Sequence, residues 1–311
     1  MFLSRFKRIV LGEPLATLQA HNERIPKWKA LSTLSSDALS SVAYATDSIL
    51  LVLAASMAVP GVMAWSIPIA IGITVLLAVI TASYRQTIAA YPNGGGAYVV
   101  VKDNLGVNAG LLAGGALLID YVLTVSVSVS SGVENLAAAF PMLAPHKVGF
   151  GLFVILIIMF MNLRGIRESA TIFSFPTYFF IFSIFTLLGV GFYRAAFGPP
   201  MIVAGGYQDL MHVNYAAVPA ILVLRAFASG CSALTGVEAI SDGVAVFKQP
   251  AAQNARTTLV WMSVILGSMF LGLTSLAHVL RLTPSEDQPL ISLLGRAVFD
   301  NGVLFYAMQA S

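Results

Sequence analysis

Residues 31–49 read LSTLSSDALSSVAYATDSI. They lead into the first apolar run of the chain, yet carry Asp37, Asp47, Tyr44, Thr46 and a series of serines where a membrane span should be uniformly apolar. A charged side chain at the bilayer centre costs about 2.5–3.5 kcal/mol on insertion scales, so such residues face a cavity or an ion path. The stretch is expected to be a helix broken around Tyr44 and Ala45 that lines a site. Residues 228–243, ASGCSALTGVEAISDG, are its counterpart far down the chain. There Gly230, Gly236 and Gly243 loosen a second apolar run around Thr235 and Glu238, with a break expected near Thr235. Interrupted spans in corresponding positions of two halves of a chain point to a transporter's binding site.

Outward from these stretches the chain is apolar almost throughout. Of its 311 residues 58% are hydrophobic and 10% charged, and the mean hydropathy is +0.85, which excludes a soluble domain. Seven long apolar runs occupy 40–59, 65–90, 108–139, 148–163, 171–196, 217–247 and 258–280. About 20 apolar residues cross a bilayer, so most of these qualify; 148–163 is the shortest and is expected to borrow turns from its flanks. An eighth run begins at Gly302 and reaches only about half a span by Ser311, so the chain is expected to be a fragment truncated in its eighth span. Residues 284–296 are polar enough for an external loop containing a short helix.

Lys and Arg set the orientation. With the N-terminus inside, the inner segments hold Arg5, Lys7, Arg8, Arg24, Lys27, Lys29, Arg85, Lys102, Arg164, Arg167, Lys248 and Arg256. The outer segments hold only Lys147, Arg194, Arg281 and Arg296. A cytosolic N-terminus is expected, its basic residues suited to anionic lipid heads. No signal peptide is read there, because no apolar core and small-residue cleavage site follow the basic residues. Cys231 is the single cysteine, which rules out an intrachain disulfide; no cation stands beside it in sequence to activate the thiol.

The remaining motifs are polar features inside apolar runs. YPNGGGAY at 91–98 lacks the Lys and Ser or Thr of a phosphate-binding loop and reads as a tight turn that folds a short helix back under the bundle. Asp120, Thr124 and Ser128 recur at i, i+4 and i+8 and so share one helix face, with Tyr121 beside them. Ser126 and Ser130 fall on another face, where small hydroxyls suit helix packing. A break near Thr235 turns its hydroxyl and freed carbonyls, hard oxygen ligands for a small cation, into the cavity near Glu238. Arg225 is expected to neutralise a carboxylate, and Asp242 suits a structural or a functional role. His21, His146, His212 and His278 are scattered, and no HExxH, GxSxG or Cys/His cluster occurs, so no enzyme is expected. His278 is read as a packing residue near a helix end, with proton relay as its alternative.

These motifs carry a resemblance. YPNGGGAY with the following Leu105 and Gly106 resembles the cytosolic turn of the amino acid, polyamine and organocation (APC) transporter superfamily. SSDALSSVAYATDSI at 35–49, IDYVLTVSVSVSSG at 119–132 and ASGCSALTGVEAI at 228–240 resemble its potassium uptake permease branch, most of all the KimA-type importers of bacteria. The resemblance implies an all-α integral membrane bundle of inverted repeats with discontinuous first and sixth helices. Here that means a single transmembrane domain over 1–311, with a first repeat at about 31–196 and part of a second at about 217–311. It implies import of K+ coupled to H+ across the bacterial plasma membrane, without organic cofactor or nucleic acid. It also implies inhibition by cyclic di-AMP and a homodimer formed through a C-terminal cytosolic domain. Its ion-site residues fall on Asp37, Tyr44, Asp120, Thr124, Ser128, Thr235 and Glu238, with K+ at Tyr44, Asp120, Thr124, Ser128 and Thr235. Glu238, Asp120 or Asp37 is the proton carrier, since coupling needs a group that is protonated in one state and not in another. Two alternatives remain open at this level. An amino-acid permease of the same superfamily is disfavoured because AYAT lacks the glycines that hold a substrate carboxylate. A membrane sensor or intramembrane enzyme is disfavoured by the scattered histidines and the lack of a paired Asp motif.

Overall fold

The computed structural model describes residues 24–57, 59, 61–163, 165–198, 218–285 and 288–311. The basic segment at residues 1–23 lies outside the described residues. Those described form an all-α bundle with no strand among them. Seven helical segments are long and apolar enough to cross a membrane: Ser36–Ala54, Val62–Ala90, Val107–Ala139, Pro141–Leu163, Arg167–Phe197, Ala220–Asp242 and Ala251–Val279. They coincide with the seven apolar runs, and the short fourth run does borrow turns, from the 3₁₀ segment Pro141–His146 before it.

In chain order the α-helices are α1 (Lys27–Leu34), α2 (Ser36–Ala54), α3 (Ser66–Ala90), α4 (Gly96–Leu105), α5 (Val107–Ala139) and α6 (Lys147–Leu163). They continue with α7 (Ile166–Phe197), α8 (Ala220–Gly230), α9 (Ala239–Asp242), α10 (Ala251–Val279), α11 (Leu290–Phe299) and α12 (Val303–Gln309).

Burial grades from the centre outward. The most apolar windows of α2 and α10 are each 56% buried, whereas the fourth span has none of its window inside. The central seam joins Leu39, Val42, Ile49 and Leu53 of α2 to Leu259, Met262, Leu266 and Leu273 of α10, all essentially inaccessible. In a bilayer the apolar tails compete for such side chains, so close packing and polar contacts between helices decide which faces meet. Gly230 shows how close the approach is. A Cβ there would stand 2.5 Å from Ile49 Cδ1 and 2.6 Å from Ile73 Cδ1, so only glycine lets α8 close on α2 and α3.

The first span is interrupted at a different place from the one expected. α2 runs unbroken through Tyr44 and Ala45, and the discontinuity lies at Ser35, between α1 and α2. Within α2, Ser40, Ser41 and Ser48 bond back to carbonyls of the helix itself. Ser40 Oγ donates to Asp37 O at 2.9 Å and Ser48 Oγ to Tyr44 O at 2.8 Å, so polarity is absorbed without breaking the backbone. Beyond the bend, α1 leans on α7. Lys29 Nζ donates to Thr171 Oγ1 at 2.6 Å, the Ser32 and Ser174 hydroxyls meet at 2.7 Å, and Thr177 Oγ1 donates to Ser32 O at 3.1 Å.

The sixth span breaks where the glycines allow it. α8 ends at Gly230, a 3₁₀ turn covers Cys231–Leu234, and Thr235 is extended with φ −64° and ψ 144°. Gly236 then adopts φ +78°, a left-handed conformation costly for any residue with a Cβ, before α9 begins. Two backbone bonds fasten the far end of this span to the chain ahead of α1: Ile25 N to Val246 O at 2.9 Å and Lys248 N to Ile25 O at 3.0 Å.

Candidate functional site

The break in the sixth span faces the first half of α2. A Cβ on Gly236 would lie 2.7 Å from Asp37 Oδ2 and 2.8 Å from Ala38 N, so the turn rests directly on the first turn of α2. Ser41 Oγ donates to Ala38 O at 2.6 Å and reaches Ala233 O, in the 3₁₀ turn, at 3.1 Å. One turn along, the Tyr44 hydroxyl lies 3.3 Å from Thr235 Oγ1. Thr235 already donates its proton to Ser232 O at 2.8 Å, so Tyr44 is the donor of the pair and the lone pairs of Thr235 face it.

The third wall is α5. The Ser128 hydroxyl is 3.4 Å from that of Ser40, Thr124 is buried one turn before it, and Asp120 is half-buried a turn earlier still. Asp120 interacts electrostatically with both Asp37 and Glu238, and Glu238 also with Asp242 and Asp37. Glu238 is 8% exposed, and its Oε1 is buried without a hydrogen-bond partner. Three elements thus bring all seven sequence-derived site residues into one region: Asp37 and Tyr44 from α2, Asp120, Thr124 and Ser128 from α5, Thr235 and Glu238 from the broken span. Mutually repelling carboxylates with hydroxyls beside them form a place where positive charge is stabilised. Hard oxygen donors of this kind suit alkali and alkaline-earth cations.

A cavity of about 370 Å³ opens beside the Ser40–Ser128 pair and runs past Ser36, Ser131, Asn135 and Gln309. Asn135 Oδ1 and both side-chain polar atoms of Gln309 are buried there without partners, which marks the cavity as polar where it passes them.

Asp242 takes a structural part. Its Oδ2 accepts the Tyr121 hydroxyl at 2.7 Å, and its backbone carbonyl accepts Gly95 N at 3.3 Å. A Cβ on Gly94 would stand 2.6 Å from that carbonyl, and one on Gly96 would overlap the carboxylate. The glycine turn is therefore the tight turn that its sequence suggests, pressed against the end of the sixth span. Arg225 does not neutralise a carboxylate. It is exposed on α8 and pairs with no acid among the described residues, because Ala226 and Gly230 form the buried stripe and Arg225 falls outside it. His278 lies near the end of α10, its Nδ1 3.2 Å from Ser66 Oγ, away from the site. Ser40 and Ser41 belong to the site although the sequence does not single them out. Their spacing of three and four residues from Asp37 and from Tyr44 is the signal that places them on that face.

Known proteins point the same way. The family model described as amino acid permease matches residues 27–309. The potassium transporter KimA of Bacillus subtilis is 44% identical over 303 residues, a stretch that covers 97% of this chain and 49% of that protein. A probable potassium transport system protein, Kup, of Xanthobacter autotrophicus is 28% identical over 207 residues, covering 65% of this chain and 31% of that protein. The chain thus spans about half the length of the first relative and less of the second. With a broken sixth span set against the first, seven apolar spans and a family match over nearly all of its length, the chain belongs to the amino acid permease family.

Proposed function

We propose that this chain forms the ion-translocating part of a secondary transporter that imports K+ together with H+. The observation that carries the reading is the meeting of Thr235, in the unwound sixth span, with Tyr44 on a continuous α2, beside carboxylates that no described cation neutralises. Tyr44, Thr124, Ser128 and Thr235 supply neutral oxygens to K+, and Asp120 supplies the charge that raises affinity. Glu238 carries the proton, because its Oε1 is buried without a partner and is free to take one; Asp37 and Asp120 are its neighbours in the same charge cluster. The 44% identity to a potassium transporter supports the choice of substrate.

An amino-acid substrate is the second reading, favoured by the description of the family model. It needs unpaired backbone N–H groups in the first span to hold a carboxylate, and α2 is helical through Tyr44 and Ala45. The negative cluster at Asp37, Asp120 and Glu238 also repels a carboxylate. The proposal extends to a plasma-membrane protein with its N-terminus in the cytosol, to two inverted repeats at 31–196 and 217–311, and to catalysis of no reaction. It extends also to a homodimer inhibited by cyclic di-AMP, and no residue of the described bundle is assigned to either property.

Rubidium uptake by the full-length protein in a potassium-auxotrophic host tests the reading. K+ should compete with rubidium, and a mixture of the twenty amino acids should not; the reverse pattern overturns it.

A further inference from the structure

Helices α3 and α10 run antiparallel, and their register is pinned where Thr81 Oγ1 and Ser263 Oγ meet at 2.7 Å. Arg85 lies one turn beyond Thr81, and Arg256 two turns before Ser263, so both stand at the same end of the same seam. They flank a groove of about 400 Å³ lined also by Gln253, Thr257, Val260 and Trp261. Neither guanidinium is paired with an acid among the described residues, and Arg256 Nε is buried without a hydrogen-bond partner. Gln253, Arg256 and Thr257 lie in the first two turns of the 29-residue α10, where the positive end of the helix dipole adds to the field. A third cation is close: Lys27 Nζ sits 5.2 Å from the centroid of the Trp261 ring.

Toward the middle of the membrane the same two helices turn apolar side chains outward. Val264 is 62% exposed on α10, and Val79 and Val75 about as much on α3, with Trp261 half-exposed between them and the arginines. A cationic head above an exposed apolar flank, joined by an interfacial tryptophan, matches the chemistry of a phospholipid whose headgroup is a net anion. We propose that this groove is a binding site for one anionic phospholipid. Its phosphate lies between Arg85 and Arg256, and its acyl chains run along the α3–α10 seam. The charge complementarity selects this occupant over a zwitterionic lipid, whose own cation the arginines and Lys27 would repel. The apolar flank selects it over a soluble phosphate.

Native mass spectrometry of the full-length protein, titrated in detergent with dioleoyl-phosphatidylglycerol or dioleoyl-phosphatidylcholine, tests the site. The phosphatidylglycerol adduct should survive at about fivefold or more the occupancy of the phosphatidylcholine one. In R85Q/R256Q the two lipids should bind alike, while R85K/R256K, which keeps the charge but loses the planar fork, should retain part of the preference. Equal retention of both lipids by the wild type overturns the proposal, as does an undiminished preference in R85Q/R256Q. Full displacement of bound phosphatidylglycerol by millimolar inorganic phosphate would also overturn it, by showing a site for a soluble anion.

Discussion

Asp120 lies two turns from Ser128 on α5 and interacts electrostatically with both Asp37 and Glu238. Burying part of a carboxylate among other carboxylates opposes insertion, and a cation between them offsets that cost. Asp120→Asn keeps the shape and removes the charge, so K+ uptake should fall by about tenfold or more, the effect of losing roughly 1.4 kcal/mol of binding. Membrane expression should be unchanged; normal rubidium uptake at normal expression would falsify the assignment. Glu238 differs, because its Oε1 is buried and unpartnered, whereas hydroxyls line the proposed K+ region. Glu238→Gln should flatten the dependence of uptake on the pH gradient while weakening K+ binding by a smaller factor. Vesicles that keep the wild-type response to an imposed pH gradient would remove Glu238 from the coupling step.

Two elements depend on single positions. The break in the sixth span turns on Gly236, at φ +78° with Asp37 Oδ2 and Ala38 N in the way of any Cβ. Gly236→Ala combines left-handed strain of about 1–3 kcal/mol with a steric conflict against α2. It should lower the unfolding temperature in detergent and abolish uptake, and a variant with both unchanged would show that the turn can relax. The second element is α11, whose N-terminal Leu290 N donates to Asp47 Oδ1 at 2.7 Å while Leu290 and Leu294 are fully buried. Asp47 thus holds the start of α11 onto the first span. Asp47→Ala leaves a buried N–H unpaired, at about 1–3 kcal/mol, and should raise hydrogen exchange across 290–299. Asp47→Asn keeps an acceptor and should stay near wild type; matching exchange in the two variants would assign the effect to something other than this bond.

For the molecule as a whole, the distribution of Lys and Arg sets a testable topology. With Cys231 replaced by Ser, a cysteine at Lys102 should be labelled by a membrane-impermeant reagent only from the cytosolic side, and one at Lys147 only from outside. Labelling at Lys102 only from outside and at Lys147 only from the cytosol would reverse the orientation, and labelling of both from one side would show that α5 does not cross. The sequence by itself determined the membrane class, the seven spans and the break at Thr235. Apolar length is a local property of a run, and the glycines at 230 and 236 permit their close approach and left-handed turn wherever they fall. It also determined that Asp120, Thr124 and Ser128 share a face, because helical spacing alone sets that. Only the tertiary structure decided that α2 stays continuous through Tyr44 and that the bend lies at Ser35. Serines can bond either to their own helix or across to another, and which happens depends on the partner that arrives. Only it decided that Arg225 faces outward, that Ser40 meets Ser128 and that Asp242 anchors the glycine turn, because each of these is a contact between segments 88 or more residues apart, or the lack of one, and no local pattern in the chain encodes the neighbour.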